Sequence, residues 1–291
     1  MRWCEGEGDC AVNAYALSRT VASAPKGEID FTLIDNTLAS IGGISLPIQS
    51  ASDYPRLPDV PEGIPTTYDP EELRDALMYL LPAVSSDVSR NIHGMAWIDS
   101  RIIATDGYRM HIVEDLPPGP TGVPIPKAGV ELVCRAIRAY SKVPVEYYWG
   151  PTLAVRVGPA IVTSSLIDAG YPSWENVVPH HTAGVRISSR DLQTVSAEST
   201  PYTDERQGLF CHFDQGQADF RASNEAGSYE RSIHCESNGF HLEIWLNPRY
   251  LVDALRGCEL PTIMLELGGL LDPIIVRTGA GRTAVIMPMK P

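Results

Sequence analysis

Thiols are few in this chain of 291 residues and they are scattered, at positions 4, 10, 134, 211, 235 and 258, with no Cys-x-x-Cys pair. A chain this long needs no disulfide framework, and the spacing offers no zinc site, so these read as reduced cytosolic thiols. Long apolar runs are also missing. Nothing approaches the ~20 residues that span a bilayer, and Met1-Arg2-Trp3-Cys4-Glu5 lacks a signal-peptide core. The expected location is therefore cytoplasmic, away from any membrane. Basic residues are scarce, 23 Lys and Arg against 36 Asp and Glu, for a net charge of −13. That balance speaks against a uniformly basic nucleic-acid binder but leaves room for a local cationic stripe, because phosphate contacts answer to the local field.

Catalytic signatures are absent as well. No Gly-rich loop ends in Lys-Ser/Thr to hold nucleotide phosphates, and Ser164-Ser165 has no neighbouring histidine. Asp168 and Asp204-Glu205 supply carboxylates without a matched acid–base partner. His180-His181 is the most metal-like pair, yet adjacent loop residues point apart and no third ligand is spaced nearby. Gly279-Ala280-Gly281-Arg282 reads as a hairpin turn. The expectation is a non-enzyme with no cofactor and no metal; a hydrolase built on His180 and His181 is the outlying alternative.

What the chain does have is periodicity. Its hydrophobic fraction of 44% suits a globular protein of two or three domains. Five helices are predicted to start near residues 13, 69, 127, 188 and 247, a spacing of about 60 residues that marks an internal repeat. Asp69-Pro70 and Asn247-Pro248 each place a capping side chain before a proline at the first helical position, and Ser188 caps the fourth helix with Asp191 three residues on. Leu17 and Val21 give the first helix one apolar face. Between helices lie short strands broken by turns such as Asp35-Asn36, Asp99-Ser100 and Gly268-Gly269. The class is α+β, one helix plus several antiparallel strands per unit. Pro/Gly-rich joints at 55–65 and 171–179 divide the chain into 1–63, 64–178 and 179–291.

The most distinctive stretch is Ile103-Ala104-Thr105-Asp106-Gly107-Tyr108-Arg109-Met110. A β-branched strand enters a Thr-Asp-Gly turn and leaves as an alternating strand. Such a turn is expected to present backbone N–H groups, a hydroxyl and a guanidinium together, beside an exposed methionine. The arrangement suits a pocket that reads a peptide.

Ala104 to Arg109 resembles the Ala-Thr-Asp-Gly-His-Arg segment of bacterial sliding clamps, the β subunits of DNA polymerase III. Asp53-Tyr54-Pro55-Arg56-Leu57 resembles that family's exit from its first domain. Gly170-Tyr171-Pro172-Ser173-Trp174 with Val177-Val178-Pro179 resembles its link between second and third domains. The segment 246–255 resembles its last helix, and Met287-Pro288-Met289-Lys290 its terminal Met-Pro-Met-Arg. The likeness runs from about Ala11 to the C-terminus, with five repeats where the family has six, so that about half of the first domain is represented.

The resemblance implies a DNA-clamp fold, two helix-plus-sheet units per domain, with helices lining the inner face of a ring around duplex DNA. Polymerase and clamp loader would dock through short peptide motifs in a hydrophobic groove. Its lining would draw on Ile92, Thr105, Gly107, Tyr108, Arg109 and Met110. The link would add Pro172, Asn176 and Val177, and the last domain Leu271, Pro273, Val285, Met287, Pro288 and Met289. Tyr108 stands where His is usual, Asn176 where Arg is common and Pro291 where Leu often ends the chain, so partner preference is expected to differ.

DNA-facing cations would include Lys127, Arg135, Arg138 and Lys142, within roughly an 80° sector of the third helix. Arg19 and Lys26 on the first helix, Arg249 and Arg256 on the fifth, and Arg90 and Arg190 complete the set. Head-to-tail assembly would pair the edge at Ile44, Leu46 and Ile48 with that at Tyr229, Ser232 and His234. The alternative is a shortened clamp-like module that binds partner peptides without closing around DNA.

Overall fold

The computed structural model describes residues 10–24, 26–27, 29–34, 37–53, 60–119, 121–181, 183–203, 208–237 and 241–290. The Asp53–Leu57 motif beyond Asp53, the Asp35-Asn36 turn, Cys4, Asp204-Glu205 and Pro291 lie outside those residues. The chain falls into two compact units, Met1–Asp59 and Val60–Pro291. No helix is long and apolar enough to cross a membrane, among the described residues.

In the first unit, Asn13 caps helix α1 (Ala14–Ser23) by accepting from the Ala16 N–H at 3.0 Å. Its buried residue is Thr20, whereas Val21 is 49% exposed, so the apolar face expected of Leu17 and Val21 is not formed. Four antiparallel strands follow the order Ala11–Val12, Ile44–Gln49, Leu38–Ile41, Phe31–Leu33. The Ile44–Gln49 strand pairs with Ala11–Val12 only at Ile48 and Gln49.

The second unit holds the other four helices: α2 (Pro70–Leu80), α3 (Lys127–Ala139), α4 (Ser189–Ser199) and α5 (Pro248–Ala254). Asp69 Oδ1 accepts from the Glu71 and Glu72 N–H groups, both at 2.9 Å, ahead of Pro70, whose lack of an N–H costs nothing there. Ser188 Oγ accepts from Asp191 N and Asn247 Oδ1 from Arg249 N. These three helices start where capping chemistry and apolar spacing coincide, whereas α3 follows Pro126 without a capping side chain.

Helix α2 packs on α3, and α4 on α5. Beneath the first pair lies a core centred on the aromatic group Tyr68, Trp97, Tyr147 and Trp149. Beneath the second lies another, with Leu192, Val195, Phe213, Phe220 and Leu251. A four-stranded sheet, Ala160–Ser165, Thr152–Val157, Val145–Tyr148, Thr66–Tyr68, serves the first core.

A twelve-stranded antiparallel sheet runs through both halves. One side runs Leu242–Leu246, Leu209–Asp214, Gln217–Asn224, Gly227–Ser237, Ala183–Ser188, Thr262–Leu267, Ile274–Gly279, Arg282–Ile286. The ladder continues without a break into Arg109–Val113, Arg101–Thr105, Gly94–Ile98 and Pro124–Pro126. The short strand Pro124–Pro126 closes this end of the sheet opposite Gly94 to Ala96. The joint between halves is the pairing of Arg282–Ile286 with Arg109–Val113, Val285 opposite Met110 and Ile286 opposite Arg109. A third small core of Ile103, Met110, Ile112 and Val285 covers it, roofed by Tyr171, Trp174 and Val178. Removal of the α2 cap should be measurable: Asp69→Ala is expected to lower stability by ~1 kcal/mol in a urea titration, with unchanged m.

Candidate functional site

At this joint the Thr105–Arg109 turn closes on itself. Asp106 Oδ1 accepts from the N–H groups of Tyr108 and Arg109, at 2.9 and 3.0 Å. Thr105 Oγ1 donates to Arg109 O at 2.7 Å and accepts from Gly107 N at 3.1 Å. Gly107 sits at φ +91°, and a Cβ there would meet the Arg90 guanidinium at 2.9 Å, so the turn requires glycine. The donors expected to face a ligand are therefore consumed within the turn.

Arg109 also departs from expectation. Its Nε donates to Asp106 Oδ2 at 3.1 Å, its Nη1 to Asp253 Oδ2 at 2.6 Å and its Nη2 to Pro82 O. The guanidinium lies 4.4 Å from the centroid of the Tyr250 ring, a cation–π geometry, and the side chain is only 10% exposed. The group expected to reach outward is instead a tie between the two halves, drawn inward by a carboxylate on α5. Met110, expected to be exposed, is 3% exposed and belongs to the small core.

What remains at the surface is an apolar groove of about 200 Å³. Ile92, Thr105, Gly107, Tyr108, Arg109 and Met110 line one wall, and Pro172, Val177, Val285 and Met287 contribute the rest. Tyr171, Ser173 and Trp174 also line it, though the sequence placed them in the link motif and not in the lining. Two aromatics three residues apart in a proline-containing turn were the available signal. Arg90, expected among the DNA-facing cations, is instead part of this wall, donating to Asp106 O at 3.2 Å.

A second depression of about 550 Å³ takes Leu271 and Met289, with Phe210, Ile244, Trp245 and Leu270. The segment carrying Met287 and Met289 is held at both residues, by Met287 N to Tyr108 O at 2.9 Å and Met289 N to Trp245 O at 2.7 Å. One methionine thus lines each depression. Asn176, Pro273 and Pro288 line neither. Asn176 is exposed on the short turn Glu175–Val177, and Pro273 uses its carbonyl to bind His181 Nε2 at 2.7 Å.

Among the cations, Arg135 and Arg138 are exposed on α3, and Lys127 is its half-buried first residue. Lys142, Lys26 and Arg256 lie beyond the ends of their helices, because α3 stops at Ala139, α1 at Ser23 and α5 at Ala254. Arg256 is paired with Asp253 at 3.2 Å. Arg190 and Arg249 are exposed in the first turns of α4 and α5, and Arg19 on α1 donates to Tyr15 Oη at 3.0 Å.

Both edges expected to meet a neighbour have an open side among the described residues. The strand Gly227–Ser237 pairs with Ala183–Ser188 only from Cys235 to Ser237, leaving Tyr229, Ser232 and His234 on a free edge. Ile44 is exposed and Ile48 half-buried, but Leu46 is 8% exposed and packs inward. No three-ligand group forms around His180 and His181 among the described residues; one does form elsewhere, from His212, Asp214 and His241.

No family model matches the chain. It is 26% identical over 262 residues to the β sliding clamp of Proteus mirabilis, covering 84% of this chain and 71% of that one. It is 23% identical over 308 residues to that of Caulobacter vibrioides, covering 97% and 82%. The structure superposes on the DNA polymerase III β subunit of Pseudomonas aeruginosa with a TM-score of 0.89 at 22% identity, over 100% of this chain and 85% of the other. A sliding clamp from Bartonella birtlesii bound to griselimycin gives 0.88 at 22%, over 97% and 82%. Repeated helix-plus-sheet units joined through a shared ladder are the DNA-clamp fold. The chain is similar in sequence to bacterial β sliding clamps and shares their fold.

Behind the groove strand, His111 is fully buried, stacked on Tyr79 at 4.6 Å, with Nδ1 2.7 Å from Tyr79 O. Burial holds its pKa down at about 4, against an ordinary 6.5. The unfolded chain therefore binds this proton first, so the neutral histidine's contribution is complete above pH 6.5 and is lost as pH falls towards 4. At 1.36 kcal/mol per unit the full loss is about 3 kcal/mol. His111→Gln is expected to flatten that part of the stability–pH profile in urea titrations from pH 7.5 to 4.5.

Proposed function

We propose that this protein is a sliding clamp, a DNA polymerase processivity factor that encircles duplex DNA and tethers polymerase and other partners through its apolar groove. The observation that carries this reading is a pair of depressions, one at the joint between halves and one beside the Leu242–Leu246 strand. Both are apolar, and Met287 and Met289 are anchored one in each. Such a surface suits short hydrophobic peptides, and flexible thioethers let it accept several. The polar atoms of Thr105, Asp106 and Arg109 are engaged with one another and with Asp253 and Pro82, which suits holding a guest and not bond chemistry. The clamp's role is to hold, not to catalyse.

On this reading, residues 64–178 and 179–291 serve as second and third clamp domains and 1–63 as part of the first. Lys127, Arg135, Arg138, Lys142, Arg190 and Arg249 form no ion pair among the described residues, which leaves them available to phosphates. Contacts of this kind ignore base sequence and permit sliding, while the acidic remainder discourages nonspecific adhesion. Closure of the ring is assigned to the free edges at Ile44–Ile48 and Tyr229–His234, joined head to tail between copies. The cell compartment is the cytoplasm, where polymerase and loader are met.

Three measurements test this. Met287→Ala combined with Met289→Ala is expected to weaken binding of a clamp-binding peptide at least tenfold by fluorescence anisotropy; unchanged affinity would remove the groove from the proposal. The purified protein is expected to have a solution mass that is a multiple of its 31.8 kDa chain. It should stay on nicked circular DNA and leave once the circle is cut. A monomer that binds peptide yet is never retained on circles would instead identify a peptide-binding module that does not close.

A further inference from the structure

Three side chains outside the groove gather on the sheet of the second core. His212 and Asp214 stand two apart on the strand Leu209–Asp214, so they project from the same face. His241 immediately precedes the neighbouring strand, whose Leu242 lies opposite Phe213, and this register brings it beside Asp214. One donor atom from each residue lies within 4.8 Å of the other two. The rings of His212 and His241 meet edge-on, centroids 5.0 Å apart at 73°.

We propose that His212, Asp214 and His241 form a binding site for a divalent transition-metal ion, zinc being the best match. Two imidazoles and a carboxylate are an N2O donor set, which favours zinc over magnesium or calcium and leaves one tetrahedral position for water.

The strongest support comes from behind the histidine. Across the ladder from His212 stands Asp219, with Oδ2 3.3 Å from His212 Nδ1. A carboxylate there holds the proton on Nδ1 and turns the Nε2 lone pair to the ligand side, the usual outer support of a metal-bound imidazole. Asp219 is itself fixed, its Oδ1 accepting from Ser232 Oγ and from Gln217 Nε2. Three strands thus cooperate to orient one ring. Asp214 and His241 are exposed and His212 is partly so, which opens the site to ions from solvent. The site stands apart from the clamp reading and survives or fails independently of it.

Titration of the reduced, metal-free full chain with Co2+ tests the proposal. One ion per chain is expected, with d–d absorption, no sulfur-to-metal charge-transfer band, and displacement by Zn2+. His241→Ala, an exposed position outside the strands, should abolish binding, and so should His212→Ala. Asp219→Asn should keep the stoichiometry and weaken affinity about 10–100-fold. Absence of stoichiometric binding, undiminished binding by His241→Ala, or a sulfur band assigning the ion to a cysteine would each overturn it.

Discussion

The structure turns on one strand pairing, Arg109–Val113 against Arg282–Ile286, and on the guanidinium that locks it. Arg109 lies 144 residues from Asp253, yet its Nη1 reaches that carboxylate at 2.6 Å while Nε keeps Asp106 in place. A charge this enclosed is stable because each of its three nitrogens finds an oxygen, and removing one partner would leave the other buried and unpaired. The same residue therefore shapes the turn, seals the joint and sets the floor on which the groove is built.

This accounts for the chemical character of the groove. Polar atoms of Thr105, Asp106 and Arg109 are engaged within the turn or by Asp253 and Pro82, so the groove is lined chiefly by apolar groups such as Pro172, Trp174, Val177 and Met287. Recognition of that kind rests on apolar burial and shape, which tolerates variation in the guest. Tyr108 stands 64% exposed at the rim, where its hydroxyl can meet a partner that carries polar atoms. On the proposed reading the phosphate-facing cations lie on other elements, chiefly α3, so holding a peptide and holding a phosphate backbone make no competing demands.

The helical frame was legible in the sequence because its signals are local. Asp69-Pro70, Ser188 and Asn247-Pro248 are read within four residues, and the structure uses each as a cap. The clamp likeness also lay open, carried by short motifs in family order. What could not be read was anything decided at long range. The inward turn of Arg109 depends on Asp253, and the metal-like trio depends on a register that sets Phe213 opposite Leu242. Helix ends were the other weak point: α5 stops after seven residues, and so Arg256 falls in a turn beside Asp253. Propensity alone carries no such information about where tertiary packing ends a helix.

Links between domains are commonly hinges, and the Pro-rich segment around Tyr171 to Pro179 has the composition of one. Here that segment lies as a roof over an intact ladder whose hydrogen bonds run from Val113 to Ile286. Bending at the link would shear those bonds together and expose the small core beneath them. The pairing of Arg109–Val113 with Arg282–Ile286 therefore opposes a hinge at this link.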